Sequence, residues 1–226
     1  GARGSTSDMA LRRPPGSQGR TQAVPGRHFD DGRHLAAYAD RIAVRCHRCG
    51  TAGWVLAQWQ PYRWTARFRC AGCSLSLDSA EGTWVGQVRY SGRRPCGYCG
   101  HQCVSVCEQR ASAAHAGLTH LSGTCRQCGR QSDVAVGMSR VRDGSPADPH
   151  FGLPLHLVES TRAGVVWAYN AAHVQALQAF AVSKLRERGG VHNASMISRL
   201  PTWMKLARHR ALLQRALERL LQRLPE

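Results

Sequence analysis

Acidic residues are scarce in this chain: 14 Asp and Glu face 31 Lys and Arg in 226 residues. Lysine is scarcer still, since only Lys184 and Lys205 are Lys and the other 29 bases are Arg. Carboxylates this few and scattered offer no paired-carboxylate site for metal or acid–base chemistry, and there is neither a Gly-rich phosphate loop nor a His-Glu-x-x-His helix. Long apolar runs are missing too. None approaches the roughly 18 residues needed to cross a bilayer, and none near the N-terminus has the apolar stretch of a signal peptide. These absences argue against an enzyme and against a membrane partner, and they make a cytoplasmic protein the expectation. The Arg-over-Lys bias matches the codon usage of a GC-rich bacterial source.

What is abundant is positive charge and cysteine. The formal net charge is +17, and a surface so cationic favours polyanions, nucleic acid first and acidic protein after it. Four Cys-x-x-Cys pairs organise the middle of the chain: Cys46/Cys49, Cys70/Cys73, Cys96/Cys99 and Cys125/Cys128. Two intervening residues let both thiolates of a pair turn onto one tetrahedral Zn²⁺, and a second pair some twenty residues on completes a closed Cys₄ site. Two structural zinc ions are therefore expected, paired sequentially, with a cross-braced pairing of Cys46/Cys49 to Cys96/Cys99 as the other arrangement. Each Zn(Cys)₄ carries about −2, so two sites would bring +17 to about +13. A Gly follows the second Cys in three of the pairs, where the chain must reverse and a positive φ costs least without a Cβ. Disulfides are the competing use of ten cysteines, but spaced Cys-x-x-Cys pairs without a secretory signal favour metal. Cys103 and Cys107 are left over; on a strand they share one face with Ser105, which reads as two small buried hydrophobes, with Cys103 or His101 as substitute ligands in the alternative.

The expected fold class is α+β: two small β-rich zinc ribbons followed by a mainly α-helical C-terminal unit. Residues 1 to 27, rich in Gly, Pro, Ser and Arg, read as a disordered leader whose first eight residues, ahead of Met9, look like an expression remnant. Residues 28 to 95 hold a short helix through Leu35, Tyr38 and Ile42 and then the first ribbon, with strands over 53 to 60 and 62 to 69 separated at Pro61. On the second of these strands Trp64, Ala66 and Phe68 alternate with Arg63, Thr65, Arg67 and Arg69, while Trp54 and Trp59 add aromatic area nearby. A further strand is expected over 84 to 90, a turn over 91 to 95, and the second ribbon over 96 to 140. Residues 141 to 152 read as a linker. The unit at 153 to 226 opens with a hairpin. A helix capped by Asn170 then runs through Val174, Leu177, Ala181 and Leu185 to Gly189, Asn193 caps a short helix, and Pro201 starts a last helix. There Leu206, Leu213, Leu217, Leu220 and Leu224 form a stripe opposite Arg208, Arg215, Arg219 and Arg223.

The Cys-x-x-Cys-Gly knuckles with β-rich intervals, over residues 42 to 130, resemble zinc ribbons of transcription and replication factors such as the ribbon of transcription factor IIB. The runs 166 to 170, 184 to 188 and 198 to 205 resemble uncharacterised bacterial zinc-ribbon proteins, a resemblance that implies no activity. Aromatic residues beside arginines suit base stacking with phosphate contact. The expectation is a noncatalytic nucleic-acid-binding protein, DNA or RNA, using Arg63, Trp64, Arg67 and Arg69 on the first ribbon and Arg215 and Arg219 on the last helix. The alternative is an adaptor whose ribbons and helices dock a protein partner within a nucleic-acid-processing complex. Convergence of the arginines on one face would separate the two. His115, His120 and the Asn170/His173 pair are the weak candidates for catalysis.

Overall fold

The computed structural model describes residues 27 to 101, 103 to 111, 118 to 141, 146 to 183, 185 to 188 and 195 to 225, with 27 to 29 and 185 to 188 as backbone. The N-terminal leader (apart from Arg27), His115 and the Asn193 cap lie outside the described residues. In chain order the strands are β1 Arg27–Asp30, β2 Arg41–Arg45, β3 Ala52–Gln60, β4 Arg63–Arg69, β5 Ser76–Asp78, β6 Val88–Arg94, β7 Val104–Arg110, β8 His120–Thr124, β9 Gln131–Ala135, β10 Gly137–Arg140, β11 Val158–Thr161, β12 Gly164–Trp167 and β13 Leu185–Arg188. The α-helices are α1 Ala171–Val182, α2 Thr202–Lys205 and α3 Arg210–Leu221. The fold is α+β, and the chain divides into two compact units: Gly82–Pro154 forms one, and the segment ending at Glu81 joins Leu155–Glu226 to form the other.

In the discontinuous unit, β2, β3, β4 and β5 form an antiparallel sheet in chain order. Pro61 and Tyr62 turn β3 into β4, so that Trp59 pairs with Trp64 and Gln60 with Arg63. The alternation read from β4 holds: Ala66 and Phe68 are buried and Arg63, Arg67 and Arg69 exposed. Ile42, Val44, Val55 and Leu77 join the buried face. The free edge of β2 is covered by backbone, Ala43 N–H donating to Tyr169 O (2.7 Å) and Ala43 O accepting from His156 N–H (2.9 Å), which satisfies ladder groups that an open edge would leave unpaired. The β11–β12 hairpin, α1 and α3 supply the rest of this core through Leu157, Val166, Val174, Leu177, Phe180, Leu213, Leu217 and Leu220. Asn170 caps α1 as expected, its Oδ1 accepting from His173 N–H at 2.9 Å. Its amide also donates to Tyr38 O and Arg41 O at 2.9 and 2.7 Å, tying the helix to the start of β2.

Three expectations are corrected in this unit. The first helix is a single 3₁₀ turn, Leu35–Tyr38, and Ile42 belongs to β2. Helix α1 ends at Val182, and Leu185 lies in β13, which pairs in parallel with β1; sequence periodicity could not report a partner strand some 155 residues away. The last helix is broken at Leu206 into α2 and α3 by a 3₁₀ turn, Ala207–His209. Around these elements Ser195 Oγ donates to Asp30 Oδ2 (2.6 Å), and Met196 N–H donates to Arg33 O (2.8 Å).

In the Gly82–Pro154 unit, β10–β6–β7 form one sheet and β8–β9 a second. Cys96, Val104, Cys125, Val134 and Val106 make one small cluster, and Trp84, Val88 and Tyr90 with Leu118, Leu121 and Val136 make another. The two layers approach closely at Gly123, where a Cβ would lie within 2.8 Å of both Val104 and Val106. The expected turn over 91 to 95 is mostly strand, because Ser91 to Arg94 pair with β7. The stretch read as a linker is, from Asp148 to Leu153, packed interior: Phe151 and Leu153 are fully buried. Asp148 gathers it by accepting from the N–H groups of His150, Phe151 and Leu153 at 2.8, 2.9 and 2.6 Å. Pro and Gly there shape a tight loop rather than a tether.

Candidate metal centres and the arginine face

Each Cys-x-x-Cys pair folds into the same knuckle. The N–H of the residue after the second Cys donates to the first Cys carbonyl, from Gly50, Ser74, Gly100 and Gly129 at 2.9 to 3.2 Å, and the first Cys N–H donates to the carbonyl of Thr51, Leu75, His101 or Arg130. This geometry needs a left-handed residue after the second Cys. Gly50, Gly100 and Gly129 take φ of 75°, 70° and 72°, and Ser74 is forced to 57°. Around the three glycines nothing lies within 4 Å of a built Cβ, so conformation and not space selects Gly.

The knuckles assemble two Cys₄ groups, Cys46/Cys49/Cys70/Cys73 and Cys96/Cys99/Cys125/Cys128, each with its sulfurs within 4.8 Å of one another. The pairing is sequential. Across knuckles, Cys46 and Cys73 sulfurs are 3.6 Å apart and Cys49 and Cys70 3.4 Å; in the second group Cys96–Cys128 and Cys99–Cys125 are both 3.7 Å. A ZnS₄ tetrahedron with Zn–S near 2.3 Å has edges of about 3.8 Å, so the two groups fit two structural zinc ions. All ten cysteines are free thiols. In each pair the first Cys is buried and the second exposed, so each group joins core to surface. Thr51, which the motif did not single out, has its Oγ1 3.2 Å from Cys49 Sγ, and side-chain and backbone hydrogen bonding from it holds that thiol down to about 6. The Leu75 N–H favours the Cys73 thiolate, yet desolvation and the sulfurs of Cys46, Cys49 and Cys70 push Cys73 up to about 12. Cys96 and Cys99 split in the same way, to about 6 and about 12. Four crowded sulfurs share negative charge poorly until a cation compensates it, and a divalent ion does so.

Cys103 and Cys107 belong to neither group and are exposed, which corrects the reading of both as buried hydrophobes; their strand turns Val104 inward instead. His101 supplies a backbone carbonyl to its knuckle and is not among the ligands.

Antiparallel partners project to the same side of a sheet, and the register of β2 to β5 therefore gathers the arginines of the first unit on one face. Arg41, Leu56, Arg67 and Asp78 form one cross-strand row. Arg45, Arg63 and Arg69 share that side by alternation, giving five exposed arginines and one acid. Arg67 reaches Asp78 at 3.0 Å while remaining largely exposed. The Arg41 guanidinium lies over the Trp54 ring at 4.1 Å. Trp64 projects from the opposite side, where it meets Trp59 edge to face at 5.4 Å, so the aromatic that accompanies the arginines is Trp54. On α3, Arg215 is exposed, but Arg219 is joined to Glu159 at 2.6 Å, and Arg223 binds the same carboxylate at 2.7 Å. His173 is a buried ring stacked on Tyr38, with Nδ1 accepting from Tyr169 N–H, and burial pushes it down to about 4. It is a packing residue. His120 is exposed on β8 beside Thr119.

Among the described residues no helix is long and apolar enough to cross a membrane. No protein-family model, curated protein or solved structure matches the chain.

Proposed function

We propose that this is a noncatalytic zinc protein that binds nucleic acid through the open face of its four-stranded sheet. The observation that carries the reading is the convergence of Arg41, Arg45, Arg63, Arg67 and Arg69 on one side of a metal-braced sheet with a single acid among them. Arginine's planar fork matches phosphate oxygens, and a rigid sheet holds several forks in fixed register, which lowers the ordering cost of binding. Four thiols per metal complete a tetrahedron and leave no open position for catalysis. A reducing, cytoplasmic setting belongs to the same reading, because metal-ready thiols persist there. Leu56, 57% exposed at the centre of the face, favours a second reading in which the face docks an acidic protein.

The test is titration of zinc-loaded full chain against labelled DNA and RNA from about 50 mM salt upward. Log affinity should fall linearly with log salt, and an Arg63/Arg67/Arg69 to Ala triple variant should flatten the slope by about 0.7 to 0.9 for each phosphate it no longer neutralises. Absence of binding to any nucleic acid at the lowest salt would give the face to a protein partner.

A further inference from the structure

The order of side chains across the arginine face names the form of nucleic acid it takes. We infer, building on the nucleic-acid reading above, that the ligand is a single strand laid along β4, with its phosphates on the arginine row and its bases over β3. Along β4 the outward positions are Arg63, Thr65, Arg67 and Arg69, one every two residues or about 6.8 Å, a spacing close to that of successive phosphates in an extended single strand. The three guanidinium groups make a linear track of phosphate donors, Arg67 keeping most of its fork exposed although its Nε is held by Asp78 at 3.0 Å; between them the Thr65 hydroxyl donates to Gln58 O at 3.3 Å, which ties the track to β3. The adjacent outward row on β3 is of another chemistry: Gln60 faces Arg63, Gln58 faces Thr65 and Leu56 faces Arg67, with Trp54 beyond them beneath Arg41. Two amides can exchange hydrogen bonds with base edges, and an apolar side chain and an arginine-backed indole offer stacking area. A phosphate row beside a base row is what one unpaired strand presents.

A duplex does not fit this face. Four strands span about 14 Å between the outer strand axes, before side chains are added, whereas the major groove is roughly 12 Å wide and admits a helix or a two-stranded ribbon. Against a flat four-stranded face a duplex could offer only a phosphate ridge, leaving Gln58, Gln60, Leu56 and Trp54 without bases to meet.

The experiment compares the zinc-loaded full chain with a fluorescein-labelled 12-nucleotide single strand, as DNA and as RNA, and with the matching 12-base-pair duplex, at one fixed salt concentration. The expected result is single-strand binding at least about tenfold tighter than duplex binding. A Gln58→Ala/Gln60→Ala variant, altered at surface positions, and Trp54→Leu should each weaken single-strand binding about fivefold or more, the first through lost hydrogen bonds to base edges and the second through the loss of one stacked base. Both variants should leave the salt slope unchanged. Zinc content and circular dichroism of each variant establish that the ribbon is intact, and the amide pair carries the test if Trp54→Leu does not fold. Duplex binding equal to or tighter than single-strand binding, or variants that bind single strands like the parent, would overturn this inference while leaving the nucleic-acid reading standing. Failure to bind any of the three probes would overturn that reading itself.

Discussion

The two zinc ribbons share a knuckle and differ in what stands behind it. In the first, the knuckles end long strands whose inner face, Ile42, Val44, Val55, Ala66, Phe68 and Leu77, belongs to a core that also holds α1, α3 and the β11–β12 hairpin. In the second, the knuckles Cys96/Cys99 and Cys125/Cys128 rest on a cluster of three valines and the two inner cysteines themselves. The same metal chemistry is thus an addition to a hydrophobic core in one ribbon and a large share of the core in the other. Small units bury too little apolar surface to offset chain entropy unaided, so dependence on metal should follow the size of the apolar backing and not the number of thiolates.

Zinc removal is the largest perturbation that tests this difference, because apparent binding free energies of structural zinc run to about 10 to 16 kcal/mol per site. Chelation should collapse amide protection throughout the Gly82–Pro154 unit while α1 and α3 keep measurable protection and helical circular dichroism. Cys128→Ser should reproduce the first effect and Cys49→Ser should loosen its own knuckles without melting α3. Equal loss in both units would break the comparison.

Leu217→Ala acts on the other side of it. Leu217 is fully buried in the helical core, and truncation should cost about 2 to 5 kcal/mol through lost burial and a residual cavity. Denaturation followed by hydrogen exchange should place that cost in the discontinuous unit, with zinc retained at Cys96/Cys99/Cys125/Cys128.

Acid should weaken the discontinuous unit through His173. Burial lowers its pKa to about 4, so below the ordinary value near 6.5 the unfolded chain takes up a proton that the folded chain refuses. Stability from this group is complete above about pH 6.5 and is lost as pH falls towards 4, about 3 kcal/mol in all. His173→Phe should lower stability at neutral pH by removing the acceptor for Tyr169 N–H, yet flatten the pH dependence of α1 exchange. An unchanged pH slope would show that His173 does not govern it.

The smallest effect separates the knuckles themselves. Ser74 holds a left-handed conformation that glycine holds in the other three, at a cost of roughly 1 to 2 kcal/mol for a residue with a Cβ. Ser74→Gly should stabilise the first ribbon by up to about 1 kcal/mol, after the extra entropy of an unfolded glycine, and Gly129→Ala should destabilise the second by a similar amount. Calorimetry of the zinc-loaded protein reads both.

Much of the metal chemistry was legible in the sequence because it is local. Two residues between cysteines and a Gly after the second specify the knuckle through turn geometry that spans six residues, whereas the choice of sequential over cross-braced partners came only with the fold. The β3–β4 hairpin was legible for the same reason, since alternation on a pleated strand sorts Phe68 from Arg67 without reference to anything distant. Burial of Cys103 and Cys107 was misread because alternation says which residues share a side and not which side is covered; Val104 took the core position. Leu185 continued a helical stripe in sequence, yet its backbone pairs with β1, a pairing that only long-range closure of the chain reveals.

The arginine face marks the same boundary. The sequence by itself determined the four knuckles, the sequence-adjacent strands and the outward projection of Arg63, Arg67 and Arg69, because each follows from torsions and spacings within a few residues. Only the tertiary structure decided that Arg41 and Arg45 join that face, that Trp54 and not Trp64 accompanies them, that Arg219 is held by Glu159, and that the stretch from Asp148 to Leu153 is packed interior rather than linker. Those outcomes depend on register between strands and on which surfaces close over one another. That competition is settled by the burial of the whole chain and leaves no mark at any single position.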